Sequence, residues 1–195
     1  MFLITLCKSA SRLMAMLGGI VLTALILLTC VSVLGRSGNT IFHMAWVEAL
    51  APGLAKSILD AGLGPVPGDF ELVEAGMAFT IFAFLPLCQV SGAHASVDIF
   101  TASLSDRANR LLIAIWDVLF AVVLIVIAWK LYDGMTGKMR YNETTFMLQF
   151  PVWWAYAVSL AAAVVAAVVG VAVAVIRLQE LVQGRVLLAV GGAEH

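Results

Sequence analysis

Three carboxylates stand close together in the stretch PGDFELVEAGMAF (residues 67–79): Asp69, Glu71 and Glu74. Carboxylates at such spacing can relay protons, share a metal ion or work as an acid–base pair, but each of those roles needs further groups. A proton path along a membrane helix needs more acids at depth, and residues 75–90 hold none. A zinc or haem site needs His or Cys at ligand spacing. The histidines are His43, His94 and His195, in three dissimilar contexts, and the cysteines Cys7, Cys30 and Cys88 form no CxxC pair. A membrane haem would need paired histidines at depth, and a zinc hydrolase an HExxH-like helix; neither is present. Nor is there a GxSxG serine or a Gly-rich phosphate loop. The residues therefore predict no catalytic group, no cofactor and no metal.

The elements that must position these carboxylates are read from hydropathy. The chain has 195 residues, 63% of them hydrophobic and 12% charged, with a mean hydropathy of +1.05. A soluble domain averages about 45–50% apolar and about 25% charged residues. The composition predicts a protein that crosses the membrane several times. A formal net charge of −1 argues against a nucleic-acid surface, which needs clustered Lys and Arg. A bilayer core needs roughly 20 apolar residues in helical form, and four stretches qualify: about 13–34, 70–90, 111–132 and 151–176. Backbone polar groups must be satisfied within lipid, so these runs are helices. The first is too long for a signal-peptide apolar region of about 7–15 residues, despite Lys8 and Arg12 before it. The fold class expected is an all-α integral membrane protein of four transmembrane helices, with residues 1–195 as one membrane domain.

Between the first two spans, residues 39–66 are apolar in pieces of about ten, broken at Pro52–Gly53 and by GLGPVPG. Pieces of that length are interfacial or re-entrant. They predict short helices on the membrane surface, the first capped by Asn39 or Thr40. Ala162, Ala166, Gly170 and Ala174 recur every fourth residue in the fourth span, and Ala15, Gly19 and Thr23 do so in the first. Such stripes let helices approach closely. Pro86 should kink the second span. Two of the three cysteines lie in apolar runs and read as small buried hydrophobes.

Four spans place both termini on one side. Basic residues near the span ends divide six against five, so the positive-inside rule barely votes. The first span alone favours an inside N-terminus. On that orientation Trp129, Tyr132, Tyr141, Trp153, Trp154 and Tyr156 gather at the outer interface, where amphipathic rings anchor. Glu71 and Glu74, three apart, share a face in the first turns of the second helix, a place favoured by the helix dipole. Arg36, closing the first span, is at the same depth. The expected contact is an Arg36–Glu71 ion pair, with Glu74 facing the bundle or a partner. Asp117, seven residues into the third span, has Arg12, Arg110 and Arg177 as candidate partners, and Lys130 and Asp133 form a local surface pair.

The order of these features resembles a known family. Arg36 closes the first span and Glu71 opens the second; Gly92, His94, Val97 and Asp98 follow in SGAHASVDIF, and Pro151 and Trp153 open the fourth. This resembles the small membrane subunit of tripartite ATP-independent periplasmic (TRAP) transporters, the DctQ type. The sequence departs from that pattern in Ser91, where a basic residue is frequent, and in the long connection after Arg36. The resemblance implies a multi-pass inner-membrane protein with both termini cytoplasmic. It implies a scaffold beside a large membrane subunit that carries the substrate and ion sites, served by a periplasmic solute receptor. The transported solutes would bear carboxylates, driven by an ion gradient. His94 and Asp98 would tie the inner loop by hydrogen bonds. The alternative is an accessory or electron-transfer subunit of another inner-membrane complex.

Overall fold

The computed structural model describes residues 2–50, 52–92 and 105–183. Among them run α1 (Phe2–Phe42), α2 (Ala45–Leu50), α3 (Pro52–Asp60), α4 (Asp69–Ser91), α5 (Asp106–Arg140) and α6 (Trp153–Gln183). Four of these, α1, α4, α5 and α6, are long and apolar enough to cross a membrane. The fold is all-α with four spans and two short helices between the first and second, as the hydropathy predicts.

The long helices overrun the expected spans. Hydropathy marks the segment that must be in lipid, whereas a helix stops only where its backbone is broken. α1 has 41 residues and α4 has 23, about 61 Å and 35 Å at 1.5 Å per residue. No Pro separates Arg36 from Phe42, so α1 continues through Asn39 and Thr40. These two do not cap a short helix. Asn39 Nδ2 instead donates to Leu63 O at 2.8 Å, and Thr40 Oγ1 to Arg36 O at 3.0 Å. Pro52 takes the first position of α3, where its missing N–H is no loss. α4 is framed by Gly68 (φ 74°) and Gly92 (φ 62°), both left-handed, a conformation that Gly adopts without strain. Ser105 caps α5, its side chain accepting from Ala108 N. α6 begins at Trp153 rather than at Pro151, because Pro151 pairs with Thr144 in an isolated antiparallel bridge.

The long helices stand in a row, α1 beside α4, α4 beside α6, α6 beside α5. α6 lies inside the row and buries two adjacent faces. Its small-residue stripe does pack as expected. A Cβ on Gly170 would sit 3.2 Å from Leu124 Cδ1 of α5, and Ala166 is wholly buried against Leu124. The stripe on α1 is displaced from the contact: Thr23 is exposed, and nothing lies within 4 Å of a Cβ placed on Gly19. Among the buried or half-buried positions, Cys7, Ser11, Met14, Gly18, Leu25, Leu28, Ser32 and Gly35 form one line along the helix. They recur at steps of three, four or seven, the seam of left-handed helix pairing. Gly18 faces Ala83 of α4, and Leu25 fills the space beside Gly76. Pro86, fully buried, lies inside α4.

The row is tied at the end where α1 begins, called here the terminal end. There Cys7 of α1, Val90 of α4 and Val169, Val173 and Ile176 of α6 form one apolar cluster. The opposite end, which holds residues 141–152, is the loop end.

Candidate functional site

The ionised side chains collect in two layers, one at each end of the row. At the loop end, Arg36 Nη2 lies 3.6 Å from Asp69 Oδ2, not against Glu71 as the span order predicts. Asp69 is two residues closer to the connecting segment, and its Oδ2 also accepts from Ser32 Oγ. Ser32 is one turn before Arg36 on α1, so hydroxyl and guanidinium share a face and address one carboxylate. Ser32 Oγ in turn accepts from Val66 N at 3.2 Å, which ties the connecting segment to both helices. The Arg36 guanidinium lies over the Phe70 ring, 5.5 Å from its centroid, within cation–π range.

Glu71 turns the other way. Its two carboxylate oxygens accept from the backbone N–H groups of Met147 (2.6 Å) and Leu148 (2.9 Å). This clasp holds the α5–α6 loop onto α4. The loop is itself built: Thr145 N donates to Phe150 O at 3.0 Å and Val152 N to Glu143 O at 2.9 Å. Lys138 Nζ meets Glu143 Oε2 at 2.6 Å. Asn142 and Gln149 turn the chain with positive φ of 48° and 56°. Beneath this loop a cavity of about 540 Å³ lies between α4, α5 and α6. Glu74 lines it and is exposed, with no partner among the described residues.

At the terminal end the layer is buried. Asp117 of α5 accepts from Gln89 Nε2 of α4 at 3.0 Å and lies 3.3 Å from Arg177 Nε of α6. Arg177 Nη1 donates to Glu180 Oε2 at 2.8 Å. Gln89, Asp117, Arg177 and Glu180 are each at most 9% exposed. Of the three arginines proposed for Asp117, the structure pairs it with Arg177. Gln89 and Glu180 were not foreseen, although Arg177 continues the buried register of Ala166, Gly170 and Val173, and Glu180 lies one turn beyond. Lys130 and Asp133 form the expected exposed pair at 3.4 Å. Trp153 opens α6 and meets Trp154 edge-on at 6.1 Å. His94 and Asp98 fall outside the described residues, as does His195.

Four crossing helices with ionised groups gathered at their two ends define a polytopic α-helical membrane protein. Residues 61–180 match the family described as tripartite ATP-independent periplasmic transporters, DctQ component. The chain belongs to that family and is a small membrane subunit of a TRAP transporter. Its α1, α2 and α3 precede the matched segment, and the Ser32–Asp69 and Arg36–Asp69 contacts join α1 to it. Neither a curated protein nor a solved structure matches the chain.

Proposed function

We propose that this subunit is a scaffold for a large membrane partner which itself carries the substrate and ion sites. The transporter imports carboxylate-bearing solutes by an ion gradient and receives them from a periplasmic receptor. The observation that supports this reading is the distribution of buried polar groups. Among the described residues, Thr80 and Ser159 are the buried polar side chains between the two ionic layers, and Thr80 Oγ1 is spent on Gly76 O at 2.8 Å. A solute path needs convergent polar groups through the middle of the membrane. Here the charges are used to join helices. On this reading the loop end is periplasmic, both termini are cytoplasmic, and α2 and α3 lie at the outer interface with Trp46 and Leu50 exposed.

The test is co-purification from native membranes through a tag on the C-terminus, followed by mass spectrometry. A large polytopic membrane protein in stoichiometric amount, with a soluble receptor weakly attached, is the expected result. A lone homo-oligomer, or a complex with a bound chromophore, would overturn it. In the assembled transporter, Asp117→Asn should alter assembly or maximal rate, not the choice of substrate. A changed preference would place substrate contacts on this chain.

A further inference from the structure

The cavity at the loop end has features that a scaffold does not require. We propose that it binds a phospholipid with a primary-ammonium head, a proposal that stands apart from the transporter reading. Three carboxylates line it, Glu71, Glu74 and Glu143, against one ammonium, Lys138. Two of the three are already engaged: Glu71 by the amides of Met147 and Leu148, Glu143 by Lys138. Glu74 remains, a carboxylate within a membrane helix with no partner among the described residues. A negative field of this kind disfavours an anion, including any carboxylate cargo, and favours a cation. Phe146, Phe150 and Tyr156 also line the cavity, and aromatic faces add to the attraction for an ammonium.

A second and independent feature is Ser159. It is 1% exposed, lines the same cavity, and its Oγ has no hydrogen-bond partner. A buried hydroxyl is ordinarily paired. Here it offers a donor to an acceptor brought by a ligand, such as the ester carbonyl of an acyl chain.

The order of groups with depth matches an amphiphile. Lys138 is two residues from the end of α5. Glu74 and Ser159 lie about 8–9 Å in from the loop-end starts of their helices, and Ala78 and Leu131 about 13 Å in from theirs, at 1.5 Å per residue. The carboxylates and the hydroxyl therefore lie together above an apolar floor. A volume of about 540 Å³ falls in the range of small-molecule sites, about 300–1,000 Å³. α4 and α5 are joined through Gln89 and Asp117 at the terminal end, and the cavity lies between them at the other.

The experiment is native mass spectrometry of the full chain, purified from membranes in mild detergent with whatever accompanies it. Three lipids are added in turn: phosphatidylethanolamine, its N-acetylated form, and phosphatidylglycerol. The expected result is one phosphatidylethanolamine retained, with roughly tenfold preference over the other two. Glu74→Gln should abolish that preference. Ala78→Phe, which fills the apolar end, should remove retention of all three, with circular dichroism reporting that both variants fold. Equal retention of the three lipids by the unaltered chain would overturn the proposal. So would an unchanged preference in Glu74→Gln, or a carbodiimide crosslink from Glu74 to a lysine of a co-purifying protein.

Discussion

The two ends of the helix row solve the same problem, holding neighbouring helices together, with different chemistry. At the terminal end Gln89, Asp117, Arg177 and Glu180 join side chain to side chain, and all four are buried. At the loop end Glu71 grips backbone amides and is partly open to solvent, while the Arg36 side chain is 51% exposed beside Asp69. Removing one member of a buried ion cluster leaves its partners charged and desolvated. At the loop end Asp69 and Ser32 are buried, but Arg36 and Glu71 are themselves reached by water, so each has given up less hydration than Arg177. The terminal end is thus the fixed end, and the loop end is the one that can be remodelled.

The largest expected effect tests the fixed end. Arg177→Met should destabilise the purified chain by about 3–5 kcal/mol, read as a lower midpoint of thermal unfolding in detergent. A loss below about 1 kcal/mol, the range of exposed pairs, would mean that the cluster is hydrated and that the two ends are alike. Next comes Glu71→Gln, which weakens the clasp without a change of size. Amide hydrogen exchange at Met147 and Leu148 should rise roughly tenfold, with the interior of α6 unchanged, since local opening need not reach the core. Exchange that rises throughout α6 would show the loop end to be as structural as the other. The smallest effect is expected at Arg36. Arg36→Glu should lower stability less than Arg177→Met does, because the Arg36 side chain is half exposed although Asp69 beside it is buried, and Asp69→Arg in the same chain should restore part of it. Restoration by Glu71→Arg instead would return the pair to the one read from span order.

The existence and number of the four spans were legible in the sequence, because about 20 consecutive apolar residues admit few other readings. Helix ends were less so. Nothing in hydropathy says that α1 runs on to Phe42, since continuation depends only on the absence of a breaker. Partner choice was legible to within a turn. Arg36 was placed opposite the start of α4 correctly, yet the choice between Asp69 and Glu71 turned on Ser32 and Val66, which reinforce Asp69. Arg177 was among three candidates for Asp117, and its register with Ala166, Gly170 and Val173 would have singled it out. Gln89 was missed because a lone amide near a helix end carries no charge signal. The loop clasp was out of reach, because it is made to backbone N–H groups that every non-proline residue has.

The length of α1 has a mechanical consequence. The segment Gly35–Phe42 is a rigid mast continuous with the span below it, and it carries α2 and α3 at its tip. Each residue of an α-helix advances about 1.5 Å and rotates about 100°. The bearing of α2 around the mast is therefore set by residue count as far as Phe42, and then by the hydrogen-bonded turn at His43 and Met44. Deleting a single residue between Gly35 and Phe42 would swing Trp46 and Leu50 through more than a quarter turn while barely changing their height, and only the deletion of a near-whole turn would bring them back to face the same way.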